Sequence, residues 1–241
     1  MRCGRKPWSV SVSDYQLLVF DWDGTLVDSI ARIVESMRVA ADVSGLPWRD
    51  DAAIKGIIGL GLPEAIIALY PELEDSRRID EFRQRYGEHY NALERQPSPL
   101  FEGVAEALEL FREQGYRLAV ATGKSRRGLD HVLSGRGWLD YFDVTRCADE
   151  TASKPDPCML HEILAHCGVT AERAVMVGDS PFDLRMAHRA GMDSVAVGYG
   201  AQPLAELLKE SPRLAIERFE ELRHWLSADL SRQSREVELY V

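Results

Sequence analysis

The sequence predicts a doubly wound, Rossmann-like α/β fold with a small helical insertion, and three observations predict it. Short apolar runs recur along the chain, helical patterns separate them, and one interval is too long for a single crossover. The runs are "QLLVFD" at 16–21, "YRLAVAT" at 116–122, "RAVMVGD" at 173–179 and "DSVAVG" at 193–198, with a weaker fifth in "FDVTRC" at 142–147. Continuously apolar strands without alternation are those of a parallel sheet buried on both faces.

Helices fill the spaces between the runs. "VAEALELFREQG" closes on Gly115, "SRRGLDHVLSGRG" begins at Ser125, "DPCMLHEILAHCG" closes on Gly168, and "PFDLRMAHRAG" closes on Gly191. Glycine just past the last periodic residue is the usual helix stop. The first two strands are separated by roughly 95 residues, whereas one crossover unit needs about 30. Within that gap, Ile30, Ile33, Val34, Met37, Ala40 and Ala41 share one helical face; "PEAIIALY" follows, and then Ile79, Phe82, Tyr86, Tyr90 and Leu93 keep helical spacing. The expected division is an N-terminal extension at 1–13, the core at 14–29 and 99–226, a helical cap domain at 30–98, and a polar tail at 227–241.

Composition narrows the function. The chain has 241 residues, 29 Lys plus Arg against 39 Asp plus Glu, and a net charge of -10, so phosphate backbones and anionic lipids would be repelled. Neither a nucleic acid nor a membrane is an expected partner. Cys3, Cys147, Cys158 and Cys167 have no metal-ligand spacing and are too sparse for a disulfide scaffold, which predicts reduced thiols in a cytoplasmic protein. No apolar run approaches a membrane span, and the basic start lacks the apolar segment of a secretory signal.

Open α/β sheets bind ligands beyond the carboxyl ends of their strands, and the residues that carry chemistry fall there. Asp21 ends the first strand and Asp23 follows two residues on, toward the same side if the strand persists. Gly24 permits a sharp turn, and Thr25 adds a hydroxyl and an N–H. Thr122 ends the second strand, with Gly123 leading into a helix whose first N–H groups suit a phosphate oxygen. Lys154 lies in "SKPDP", Asp179 ends the fourth strand, and Asp183 sits one turn into the next helix. Carboxylates converging on one loop face need a cation, and oxygen-only ligands select Mg²⁺.

In order, "DWDGT", Thr122 in "VATGK", Lys154 in "SKPDP" and "GDSPFD" resemble the four motifs of the haloacid dehalogenase superfamily, close to its phosphoglycolate phosphatase-like branch. The resemblance spans about 16–225, and the helical insertion falls where one class of that family carries a mobile cap. It implies a phosphoric monoester hydrolase acting on a small phosphorylated metabolite, as a monomer or homodimer. It further implies that Asp21 attacks phosphorus and that Asp23 moves the protons. Gly24, Thr25, Thr122, Gly123 and Lys154 would hold the phosphate. Mg²⁺ would sit on the Asp21 side chain, the Asp23 main-chain carbonyl and Asp179, with Asp183 placing metal-bound water or Lys154. Gly123 and Trp22 depart from the residues many relatives have, in ways that touch substrate fit and loop packing. A phosphomutase acting on a sugar phosphate and an inorganic pyrophosphatase are the alternatives.

Other positions have plainer expectations. Asp28 and Ser29 are read as caps of the first inserted helix. Lys124, Arg126 and Arg127 are read as a solvated helix face. Gly56, Gly59 and Gly61 form either a loop closing over substrate or a plain turn, with Lys55 a candidate substrate contact. The six histidines are taken as structural or exposed.

Overall fold

The computed structural model describes residues 11–73 and 75–227. Most of the expected N-terminal extension and C-terminal tail, and Cys3, lie outside them. Among the described residues one parallel sheet is built from β1 (Leu17–Phe20), β2 (Arg117–Thr122), β3 (Val144–Cys147), β4 (Ala174–Gly178), β5 (Asp193–Val197) and β6 (Leu214–Ile216), in the order β3-β2-β1-β4-β5-β6. The order reverses at β1, which pairs with β2 on one side and β4 on the other. Its carboxyl end is therefore the crevice where such sheets bind ligands.

The two-residue period of the strands divides their side chains between two cores. Leu18 and Phe20, Leu118 and Val120, and Val175 and Val177 face one cluster with α5 (Val104–Glu113), α6 (Arg126–Ser134) and a last helix at 219–227. Leu17 and Val19, Ala119 and Ala121, and Ala174 and Met176 face the other, with α7 (Cys158–Cys167) and α8 (Pro181–Arg189). Both faces are covered, which is why the strands read as unbroken apolar runs. The sequence reading has no counterpart for β6: three residues at the sheet edge, only Ile216 of them buried, carry too little pattern.

Between β1 and α5 lie α1 (Ile30–Val43), α2 (Asp51–Lys55), α3 (Leu62–Leu69) and α4 (Ser76–Leu93). All six apolar residues expected on the inward face of α1 are buried, as are Phe82 and Tyr90 of α4. These helices share a third cluster of their own, to which Ala201 of the core adds one contact surface. The five-residue α2, capped by the Asp50 side chain on Ala53 N–H at 2.7 Å, is too short to announce itself by periodicity. The two linkers to this unit run side by side: Asp28 N–H donates to Pro99 O at 2.9 Å and Phe101 N–H to Leu26 O at 3.1 Å.

Phe82 is fully buried in this helical cluster, its ring 5.9 Å from that of Tyr70. Phe82→Ala should cost about 3–5 kcal/mol of stability by emptying that space. Urea denaturation followed by tryptophan fluorescence and circular dichroism measures it; a loss under 1 kcal/mol, ~ the scale of a surface change, would mean the cluster is not close-packed.

Candidate functional site

The crevice at the end of β1 holds three carboxylates and one ammonium, all buried. Lys154 Nζ lies 2.6 Å from Asp21 Oδ1 and 2.6 Å from Asp183 Oδ1. Carboxylate oxygens of Asp21, Asp179 and Asp183 come within 4.8 Å of one another. Asp21 directly follows β1 and Asp179 directly follows β4, so the switch in strand order places them side by side. Asp183 is the third residue of α8, where its carboxylate accepts from the Ser180 hydroxyl at 2.6 Å and its N–H is capped in return.

Asp179 is held by groups that the sequence reading largely missed. Ala201 N–H donates to its Oδ2 at 2.6 Å, and the Thr25 hydroxyl reaches its Oδ1 at 3.4 Å. The Tyr199 hydroxyl donates to Thr25 O at 2.9 Å, which fixes the loop after β5 against the loop after β1. Gly24 has a left-handed φ of 83°, and a Cβ there would lie 2.1 Å from Asp179 Oδ2. Its N–H donates to Val27 O at 2.9 Å. Gly24 and Thr25 pack against Asp179, and neither they nor Lys154, Asp179 and Asp183 are among the residues lining the cavity.

Charge decides what the cluster can hold. With the three carboxylates ionised, Lys154 leaves two negative charges uncompensated in a site where the four residues are at most 1% exposed. Burial pushes the Asp21 carboxyl up to about 7 against the pull of Lys154, with the Asp183 charge adding to the rise. Burial and then the Asp21 and Asp183 charges push Asp179 well above the usual carboxylate range. Burial alone would lower Lys154, yet Asp183 and Asp21 hold it above its ordinary value. Asp21 Oδ2 is buried without a hydrogen-bond partner. An orphaned oxygen beside three buried carboxylates, two of them pushed upward because Lys154 alone offsets their charge, fits a hard divalent cation. Among the described residues this group is placed to share an ion, and no histidine belongs to it.

Asp23 is held apart from that cluster. The strand ends at Phe20, and the chain from Asp21 turns, so the two carboxylates share the cavity wall but have different partners. Asp23 Oδ1 accepts from Ser29 Oγ at 2.6 Å, and Asp23 Oδ2 lies 3.0 Å from Lys124 Nζ. This corrects two expectations. Ser29 does occupy the cap position of α1, but its hydroxyl makes no cap bond and serves Asp23 instead, while Asp28 is exposed. Lys124 is turned inward, only 10% of its side chain exposed, whereas Arg126 pairs with Glu150 at 2.7 Å and Arg127 remains exposed. Trp22, between the two acids, points the other way into the core, edge-on to Trp138 and Phe142.

A cavity of about 1380 Å³ opens above these groups, between the sheet and the inserted helices. Asp21, Asp23, Thr122 and Lys124 line it from the core, and Leu60 and Tyr90 from the insertion. Thr122 Oγ1 accepts from Lys124 N–H at 3.2 Å. In the first turn of α6, Ser125 Oγ takes the N–H of Gly128 and Asp149 that of Arg126. Gly123 packs under the 57–61 loop, where a Cβ would lie 2.3 Å from Leu60 O. The departure from the family pattern at this position therefore leaves room for that loop, which is also tied to the core by Gly61 N–H on Ser153 Oγ at 2.8 Å. Lys55 does not line the cavity; its carbonyl accepts from Gln202 Nε2 at 2.7 Å.

Comparison with known proteins agrees with this geometry. The family model for haloacid dehalogenase-like hydrolases matches residues 18–197. The protein named Probable phosphatase IndB of Dickeya dadantii (strain 3937) is 37% identical over 86% of this chain and 91% of its own. A phosphoglycolate phosphatase of Nitrosococcus oceani is 27% identical over 88% of this chain and 96% of its own. A crystal structure of a predicted phosphoglycolate phosphatase from Haemophilus somnus 129PT superposes with a TM-score of 0.75 at 26% identity, covering 87% of this chain and 96% of that one.

Removing the one cation from the cluster should be costly. Lys154→Met is expected to destabilise the metal-free protein by about 3–5 kcal/mol near neutral pH, the scale for a buried charge left unpaired. Denaturant unfolding in chelator would read this directly. A variant as stable as the parent would show that the carboxylates do not depend on Lys154.

Proposed function

The chain belongs to the haloacid dehalogenase-like hydrolase family, and on that premise we propose that it is a Mg²⁺-dependent phosphatase of a small phosphate monoester, working through an aspartyl phosphate. The observation that carries the reading is the division of labour between two acids on one cavity wall. Asp21 belongs to the buried cluster and still faces the cavity, while Asp23 is anchored outside the cluster by Ser29 and Lys124. We read the first carboxylate as the nucleophile and the second as the proton carrier.

In the first half-reaction an Asp21 carboxylate oxygen bonds to phosphorus as the bond from phosphorus to the substrate alcohol breaks. Asp23, as the acid, gives its proton to the departing oxygen. In the second half Asp23, now the carboxylate, takes a proton from water; the water oxygen bonds to phosphorus and the Asp21–phosphorus bond breaks, releasing phosphate. Thr122 and Lys154 are the side chains we assign to the transferring phosphoryl oxygens, with Gly123 beside them. Asp21, Asp179, the Asp23 main-chain carbonyl and Asp183 would hold the metal. Bound there, Mg²⁺ would offset the negative charge gathered by the carboxylates and the phosphoryl group.

The helices at 30–98 we read as a lid that excludes water and selects the alcohol. The paired linkers at 26–28 and 99–101 support this reading, since two adjacent strands of backbone form a natural hinge. We place the enzyme in the cytoplasm, consistent with free Cys147, Cys158 and Cys167; no helix among the described residues is long and apolar enough to cross a membrane.

The test is a screen of phosphoglycolate, sugar phosphates and nucleoside monophosphates for phosphate release, with and without Mg²⁺. Activity should disappear with chelator and return with Mg²⁺, and Asp21→Asn should abolish it while leaving the fold intact. Asp23→Asn should lose about 10² to 10⁴ in rate, the contribution of general acid–base work. Phosphate release by the Asp21 variant at the parent rate would overturn the nucleophile; accumulation of a bisphosphate without free phosphate would favour a mutase.

A further inference from the structure

We infer that Lys124 is a positioning residue through which Tyr90 of the inserted helices holds the Asp23 carboxylate, so that the placement of the proton carrier depends on the lid. The inference rests on the phosphatase reading above and adds to it a link between two parts of the molecule. Lys124 Nζ makes two contacts in opposite directions. It lies 3.0 Å from Asp23 Oδ2 on the core side and donates to Tyr90 Oη at 3.1 Å on the lid side. The ammonium also sits 4.4 Å from the centroid of the Tyr90 ring, a cation–π distance.

Each member of this chain is itself held. Tyr90 is buried, and its ring stacks on that of Tyr86 with centroids 5.7 Å apart and planes 17° from parallel. Glu94, the residue that ends α4, accepts from Arg32 at 2.9 Å and so ties that end to α1. Asp23 has Ser29 Oγ as its other anchor, at the start of α1. Both anchors of Asp23 thus trace back to the inserted unit, one through the first residue before α1 and one through Lys124 and α4. Movement of α4 away from the core would take Tyr90 from Lys124 and leave a long, flexible ammonium side chain as the remaining partner of Asp23 Oδ2. With the lid in place, Asp23 is fixed facing the cavity; with α4 displaced, Lys124, one of its two supports, is no longer held.

Lys124 lies at the loop after β2, on the core, so a role in the lid alone does not explain its burial. A surface lysine would extend into water, and this one is instead enclosed by Asp23, Tyr90 and Tyr86. Burial alone would lower its pKa, but the Asp23 charge holds it above the ordinary lysine value, so Lys124 is an ammonium.

The experiment compares leaving groups. A nitrophenolate departs without a proton, whereas an alkoxide needs one, so misplacing Asp23 should penalise only the second. The value to measure is kcat/KM, which covers the steps through departure of the alcohol and is not masked by later hydrolysis of the phospho-enzyme. With the best alkyl phosphate from the screen above, Tyr90→Phe should lower kcat/KM about tenfold and Lys124→Met about a hundredfold, the second at the low end of the range for general acid work. With p-nitrophenyl phosphate both should stay within about threefold of the parent. Tyr90→Phe added to Lys124→Met should cost less than its tenfold alone, because the hydroxyl acts mainly through the ammonium and otherwise through its hydrogen bond with Ser29. Circular dichroism and the thermal midpoint confirm that each variant is folded, and Tyr90→Phe, which keeps the ring, serves alone if Lys124→Met does not fold. Equal losses on both esters, or independent and additive losses in the double variant, would overturn the inference while leaving the phosphatase reading intact. A parent enzyme inert toward every ester would overturn that reading and this inference with it.

Discussion

One ammonium ion in a buried crevice is the condition on which the site's geometry depends. Lys154 reaches from the loop after β3 to Asp21 at the end of β1 and Asp183 in α8, and so draws three segments distant in sequence onto one point. A lysine this deeply buried is stable only with partners, and each carboxylate is stable only with a cation near it. The mutual requirement sets the spacing of the loops. It also leaves the cluster short of positive charge, and that deficit, more than any single ligand distance, is what makes it a place for a metal.

Much of this was legible in the sequence. The strands around β1 and β4 announced themselves because a sheet covered on both faces needs apolar residues without interruption. Asp21, Thr122, Lys154 and Asp179 could be assigned to strand ends or loops because backbone pattern alone places them. The inward face of α1 was readable to the residue. What stayed hidden were groups whose roles depend on partners from elsewhere in the chain. Lys124 next to Arg126 and Arg127 looks like a solvated basic run; only the approach of Tyr90 and Asp23 turns it inward. Tyr90, spaced with Phe82 and Tyr86, reads as a core aromatic, and its hydroxyl is silent in such a pattern. Ser29 stands where a helix cap is expected, and one hydrogen bond to Asp23 reassigns it. The loop after β5, whose Ala201 N–H holds Asp179, had one available signal, its place beyond the carboxyl end of a strand.

The inserted helices and the core meet through few and specific contacts. Gly123 lies under Leu60, Ser153 under Gly61, and Lys124 against Tyr90. A side chain at residue 123 would lift the 57–61 loop, so the absence of one there and the shape of that loop form a matched pair.

The position of β1 has a consequence for how the chain reaches this state. It is made first and pairs on one edge with β4, Leu17 lying opposite Ala174. Its four apolar residues therefore emerge from the ribosome long before one of their neighbours exists. The helices that follow can collapse on local contacts, but the central strand must wait for most of the chain to be synthesised before its second edge is covered. Pairings this distant in sequence fold slowly, and an unpaired apolar edge invites association with other chains. Newly made copies should be most prone to aggregation while β4 is still missing.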